Sequence, residues 1–114
     1  MSRRRIAAAA FTAAAAFTAG LIPAAAHAQD VAAGRKKALA CQTCHGLDGL
    51  SKLPDAPNLA AQPAAYLERE LRAYRSGVRR NEVMSVAAKQ LSDDDIRDLA
   101  AYYAAIQIEV KAVP

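Results

Sequence analysis

Both phenylalanines of this chain, Phe11 and Phe17, lie within its first 28 residues, and tryptophan is absent throughout. The opening stretch "MSRRRIAAAAFTAAAAFTAGLIPAAAHAQD" carries the three parts of an export leader in order. Arg3, Arg4 and Arg5 form a basic start, Ile6 to Ile22 an uncharged apolar run, and Pro23 precedes the small-residue triplet Ala26-His27-Ala28. The run of 17 residues is near the lower limit for crossing a bilayer. It is mostly alanine and ends at a cleavage triplet, so residues 1–28 read as a cleaved secretory signal peptide rather than an anchor. Removing 28 of the 114 residues leaves 86, a single domain (29–114) whose only large rings are Tyr66, Tyr74, Tyr102 and Tyr103. A chain this short buries a smaller share of its surface than a larger domain does. With so few bulky side chains its own core is thin, and something besides polypeptide is needed to fill it.

The leader also distorts the charge. It holds three of the 15 basic residues and none of the 11 acidic ones, so the formal net charge of +4 falls to +1 in the mature part. That near balance removes the argument for nucleic-acid binding and offers little long-range steering of any partner. Three helical stretches are expected. The first runs from about Val31 to Cys41 after Asp30 as N-cap, with small or apolar residues at Val31, Gly34, Ala38 and Cys41. A glycine inside a helix costs about 1 kcal/mol against alanine, so Gly34 makes sense where another helix crosses closely. Turn chemistry fills "LDGLSKLPDAPNLAAQ", from Leu47 to Gln62. The second helix starts at Pro63 as its first residue, places Leu67, Leu71, Tyr74 and Val78 on one side, pairs Glu68 with Arg72, and stops at Gly77. The charges at Arg69, Glu70, Arg72 and Arg75 read as a solvated face. The third helix opens on a Ser92/Asp95 capping box with Asp93 and Asp94 in its first turn, and Ile96, Leu99, Ala100, Tyr103 and Ile106 face a core. No strand-like alternation competes, and the domain is expected to be all-α.

The only two cysteines stand three apart in "ACQTCHGLDG", with His45 directly behind Cys44. A disulfide over so short a loop stabilises little. A structural zinc site wants four ligands, and the mature part offers no further cysteine or histidine. A redox-active CxxC is usually met beside a βαβ pattern, which is missing, and gives the histidine no task. The pattern Cys-x-x-Cys-His is the attachment signature of c-type haem. Cys41 and Cys44 supply thioethers to the two vinyl groups, and His45 reaches the iron. A flat, apolar, covalently held cofactor also fills the thin core. After Met1, Met84 is the only methionine, 39 residues past His45 in the loop "SGVRRNEVMSVAAKQ". A lone methionine is ordinarily core filler, but here it is the candidate for the sixth position of the iron. Histidine with methionine raises the reduction potential and leaves no open position, which favours electron transfer over catalysis.

From Asp30 to Ile106 the sequence resembles the class I c-type cytochromes, in particular the small bacterial monohaem carriers and single halves of the related dihaem carriers. The resemblance rests on "CQTCHGLDG", "PDAPNLAAQ", "YLERELRAYRSGVRRNEVM" and "LSDDDIRDLAAYYAAI" in that order. It implies a small helical domain wrapped around one covalent haem c, with Cys41 and Cys44 as thioethers and iron ligands His45 and Met84. It further implies that the carbonyl of Pro57 accepts a hydrogen bond from His45 and that the first and last helices cross at Gly34 and Tyr102 or Tyr103. Asn81 resembles a residue found near the methionine sulfur, and equally reads as a loop cap. Glu82 stands where many relatives carry proline, and Ala61 where glycine is common.

The function expected is that of a periplasmic one-electron carrier, not an enzyme, passing electrons from a reductase or dehydrogenase to an oxidase or other acceptor. The alternative is a haem subunit bound tightly in a periplasmic dehydrogenase complex. Redox proteins are the partners expected, with no nucleic acid, no membrane insertion of the mature chain, and a monomer as the carrier. Lys52, Arg79 and Arg80 are candidates for the docking rim.

Overall fold

The computed structural model describes residues 28–114, so the expected signal peptide lies outside the described residues apart from Ala28. Among them the regular structure is entirely helical: α1 (Val31–Lys37), α2 (Gln42–His45), α3 (Ala64–Ser76), α4 (Met84–Lys89) and α5 (Asp93–Ala105), with a 3₁₀ turn at Ala38–Ala40. The all-α expectation holds.

Asp30 caps α1 by accepting from Ala33 N at 3.0 Å. Its own N–H reaches across the domain to Asp98 Oδ1 at 2.9 Å, tying the chain entry to α5. The first helix does not run unbroken to Cys41 as expected. It tightens at residues 38–40, where Cys41 N bonds Ala38 O at 2.9 Å, and restarts as the short α2. The i→i+3 bonding of a 3₁₀ turn winds the chain more tightly than an α-helix does, so the cysteine-histidine motif leaves the α1 axis and sits on its own helical turn.

Pro63 is the N-cap of α3 with ψ 132, one position earlier than the expected first helical residue. The helix closes at Gly77, which is left-handed at φ 82. The α5 capping box is complete: Ser92 Oγ accepts from Asp95 N, and Asp95 Oδ2 from Ser92 N, both at 3.0 Å. Helix α4 was not among the expected elements. It is six residues long and buries only Ala88.

Packing centres on α5, with α1 against one part of it and α3 against another, while α4 leans on α3. A Cβ on Gly34 would overlap the backbone oxygen of Asp98 and lie 2.8 Å from Tyr102 Cβ. Close crossing of α1 over α5 therefore requires glycine, and Tyr102 is the aromatic at that crossing. Ala38, Leu67, Leu99, Ala100 and Tyr103 form the buried cluster, with Leu47, Leu59, Leu71 and Cys41 packed on it. The largest apolar side chain with under 2 % exposure is Ile96. The protein's own core is as thin as its composition implies.

Candidate functional site: a cysteine-histidine turn and a methionine loop

Cys41 precedes α2 and Cys44 and His45 lie on it, so one short helix presents two thiols and an imidazole together. Both thiols are free and half-buried. Burial, and after it the neighbouring Cys44, pushes the Cys41 thiol above its ordinary value. Reactive CxxC dithiols depend on the opposite shift, which counts against the redox-dithiol reading.

The His45 ring is 7 % exposed, and its Nδ1 lies 2.9 Å from the carbonyl oxygen of Pro57. A carbonyl only accepts, so Nδ1 carries the hydrogen and donates it. In the neutral ring the lone pair is then on Nε2, fixed in direction and ready for a metal.

The backbone around this turn is held from several sides. Gly46 ends α2 at φ 72, a conformation that costs any side-chain-bearing residue, and turns the chain immediately behind His45. Tyr102 donates its hydroxyl to Leu47 O at 2.6 Å and Tyr103 donates to Gly46 O at 3.3 Å. Burial raises the Tyr103 phenol well above its usual value, so it remains a donor. Lys52 N bonds Cys44 O at 2.8 Å, and Gly49 O accepts from Leu59 N at 2.8 Å and Ala60 N at 3.0 Å, closing the loop that delivers Pro57. Ala61 then bonds Tyr103 O at 3.0 Å while adopting φ 58. Alanine occupies a left-handed position there, at a cost of about 1–2 kcal/mol, which is the physical consequence of its standing where relatives carry glycine.

Met84 is the first residue of α4 and half-buried, on an element separate from the His45 turn. Asn81 Oδ1 accepts from Val83 N at 3.0 Å and Met84 N at 2.9 Å. Of the two readings open for Asn81, the structure gives it the cap. Glu82 is exposed beside it. Sequence reasoning missed Ser85, whose Oγ accepts from Asn81 N at 3.0 Å; the four-residue spacing of Asn81 and Ser85 was the available signal.

The α3 charges are not merely solvated. Arg75 donates to Leu91 O at 2.9 Å and to Asp93 at 2.5 Å, while Arg72 bonds Asp93 at 2.9 Å and Glu68 at 3.3 Å. Two of the expected docking cations are likewise engaged within the molecule: Lys52 with Asp48 at 2.9 Å, and Arg79 with Glu70 at 2.6 Å and stacked on the Tyr74 ring at 4.6 Å. Arg80 remains exposed.

These residues fit haem c. The donor set is one imidazole with Nδ1 already committed, two free thiols at the attachment spacing, and one thioether on a loop. No group of three or more His, Cys, Asp or Glu among the described residues forms a site for a bare metal ion. The family model for cytochrome c matches residues 31–106. The chain is 48 % identical over 79 residues to cytochrome c-554(548) of Halomonas halodenitrificans, an alignment covering 67 % of this chain and 95 % of that protein. It is 40 % identical over 85 residues to a thiosulfate dehydrogenase electron acceptor of Thiomonas intermedia, covering 73 % of this chain and 39 % of that one. The crystal structure of reduced recombinant cytochrome c4 from Pseudomonas stutzeri superposes with a TM-score of 0.66 at 35 % identity, covering 70 % of this chain and 47 % of that one. The chain thus spans nearly all of one relative and less than half of the others. The matched segment contains both the Cys41–His45 turn and Met84, and with the helical architecture it shows that the chain belongs to the cytochrome c family, an electron carrier built on covalent haem c.

Proposed function

We propose that the mature protein, residues 29–114, is a periplasmic one-electron carrier in which Cys41 and Cys44 hold haem c as thioethers and His45 and Met84 take the two axial positions. The single observation that carries the ligand assignment is the hydrogen bond from His45 Nδ1 to Pro57 O at 2.9 Å, which leaves Nε2 as the ring's only lone pair. Haem c supplies an iron that alternates between ferric and ferrous states. The polypeptide keeps the imidazole in one tautomer and orientation through Pro57, and holds Gly46 and Leu47 against α5 through Tyr103 and Tyr102. It encloses the ring nitrogen away from water. A site whose geometry is fixed before the electron arrives needs little rearrangement on transfer. Met84 fills the remaining axial position, which suits a carrier rather than an oxygen-activating centre.

Two observations support the leader and the export it implies: the basic-apolar-triplet order of residues 1–28 and the chemistry of haem attachment to free thiols. No helix among the described residues is long and apolar enough to cross a membrane. A second reading, service as the haem subunit or acceptor of a dehydrogenase, is favoured by the similarity to a thiosulfate dehydrogenase electron acceptor. Co-elution with a catalytic subunit on size exclusion of the native protein separates it from a free carrier.

Absorption spectra of the purified holoprotein in both oxidation states test the ligand set. Low-spin c-type bands with the weak near-infrared thioether-to-ferric-iron band are expected, and Met84→Ala removes that band and lowers the potential. A variant spectrum identical to wild type takes Met84 out of the site.

A further inference from the structure

Helix α4 is too short to be stable by itself, because nucleating a helix is unfavourable and isolated helices well beyond six residues are already marginal in water. Its one buried side chain, Ala88, lies at the far end from Met84. Val83, its N-cap, supplies no side-chain acceptor. Four hydrogen bonds do the work of the cap from outside the helix. Asn81 Oδ1 takes the N–H of Val83 at 3.0 Å and of Met84 at 2.9 Å. Ser85 Oγ takes the N–H of Asn81 at 3.0 Å, and Asn81 O takes the N–H of Ser85 at 2.9 Å. The two residues therefore clasp each other across Met84, from three positions before it to one after, and the Met84 N–H is one of the bonded groups. A methionine side chain has three rotatable bonds and a soft sulfur. Any fixed placement of that sulfur has to begin with a fixed backbone.

We infer that Asn81 and Ser85 form a reciprocal clasp that positions the backbone of Met84 and thereby sets how readily its sulfur leaves the iron. This rests on the reading of Met84 as the sixth ligand. Asn81 acts here through its carbonyl oxygen, since an amide nitrogen cannot accept the two backbone hydrogens. Neither residue is a ligand; both are positioning residues whose effect passes through Met84. Aspartate at 81 keeps an acceptor in the same place and is an equally good cap, whereas alanine removes it.

The test is the rate at which imidazole binds the ferric holoprotein, a process that must wait for the sulfur to leave. Four variants are compared with wild type: Asn81→Ala, Asn81→Asp, Ser85→Ala and Met84→Ala. Loss of a helix cap typically changes a local equilibrium by about five- to tenfold, so Asn81→Ala is expected to bind imidazole about five- to tenfold faster. Asn81→Asp should stay within about twofold of wild type, Ser85→Ala should fall between, and the near-infrared band should persist in all three. A merely structural role would lower the melting temperature of Asn81→Ala and leave the imidazole rate unchanged, which overturns the clasp. Should Asn81→Asp speed binding as much as alanine does, the capping argument is overturned by that result alone. If wild type already binds imidazole as fast as Met84→Ala, Met84 is not a ligand, and both the clasp and the ligand assignment fall.

Discussion

The two sides of the candidate haem site are built differently. On the histidine side, turn and loop are tied to buried structure: Tyr102 and Tyr103 hold Leu47 and Gly46, Tyr103 O receives Ala61 N, and Gly34 lets α1 lie directly on α5. On the methionine side, α4 packs on α3 and is held by the Asn81–Ser85 clasp at one end and by Arg75 on Leu91 O at the other. The neighbouring Val78 and Val83 are 86 % and 65 % exposed. Backbone bonds sheltered from water are costly to open without replacement, whereas caps and exposed ion pairs are worth less and yield to solvent and salt. The histidine side is therefore the rigid half, and the methionine side is where the protein opens first. A carrier gains from that asymmetry, because the ligand set changes only through one small, tunable segment.

The largest expected effect breaks the rigid half. In Gly34→Ala the added methyl overlaps the backbone oxygen of Asp98, and backbone cannot swing aside as a side-chain tip can. Helices α1 and α5 must separate, at a cost of about 3 kcal/mol, which for a domain of this size lowers the melting temperature by about 15 °C. Thermal unfolding of the holoprotein followed by circular dichroism measures it. A drop of only a degree or two would mean that the crossing is not a constraint. If the imidazole rate of this variant also rose as much as that of Asn81→Ala, the two halves would not open independently.

A smaller effect sharpens the contrast at the hydroxyls. Tyr102→Phe and Tyr103→Phe each delete one hydrogen bond to the turn behind His45 and leave the rings in place, 5.1 Å apart between centroids. The expected loss is about 1 kcal/mol for each, or about 5 °C in melting temperature, without a change in imidazole rate. Faster imidazole binding in either variant would place control of the methionine on the histidine side and reverse the comparison.

What was legible in the sequence divides along the same line. The motif Cys41 to His45, the Ser92/Asp95 box, the stop at Gly77 and the crossing at Gly34 are local or nearly local signals, and each is found where the sequence put it. The break at residues 38–40 was not legible, since alanine and leucine there all favour continued helix. It is imposed by the packing of Ala38 into the α3–α5 cluster. Helix α4 was hidden because its existence depends on a cap three residues upstream and on α3 beneath it. Arg72 and Arg75 looked like surface charge because Asp93 is 21 and 18 residues away in the chain. Ala61 is the intermediate case: its departure from glycine was visible, but only the φ of 58 converts it into strain.

The smallest expected effect lies in that arginine pair and in the acid limb of stability. Asp93 joins Arg72 and Arg75 at the start of α5, and the Arg75 hydrogen bond, with both guanidinium charges, holds its carboxyl below the usual value. A carboxyl with a lower value folded than unfolded adds stability that is fully present above its unfolded value, about 3.9. The contribution disappears as pH falls through the folded value. Its side chain is 57 % exposed, so the interaction is solvent-screened and weakened by salt. Asp93→Asn should therefore be slightly less stable than wild type at pH 7 and low salt. The gap should shrink in about 0.5 M salt and close below about pH 3. Denaturant unfolding at neutral and at acid pH, at two salt concentrations, measures all three. Asp93 also fixes the position of Arg75, which in turn holds Leu91 O at the end of α4, so the same variant should admit imidazole slightly faster at neutral pH and not at acid pH. A gap that persisted in acid would show that the asparagine is disfavoured for reasons other than charge. The methionine side would then be held by packing, as the histidine side is, rather than by screened ion pairs.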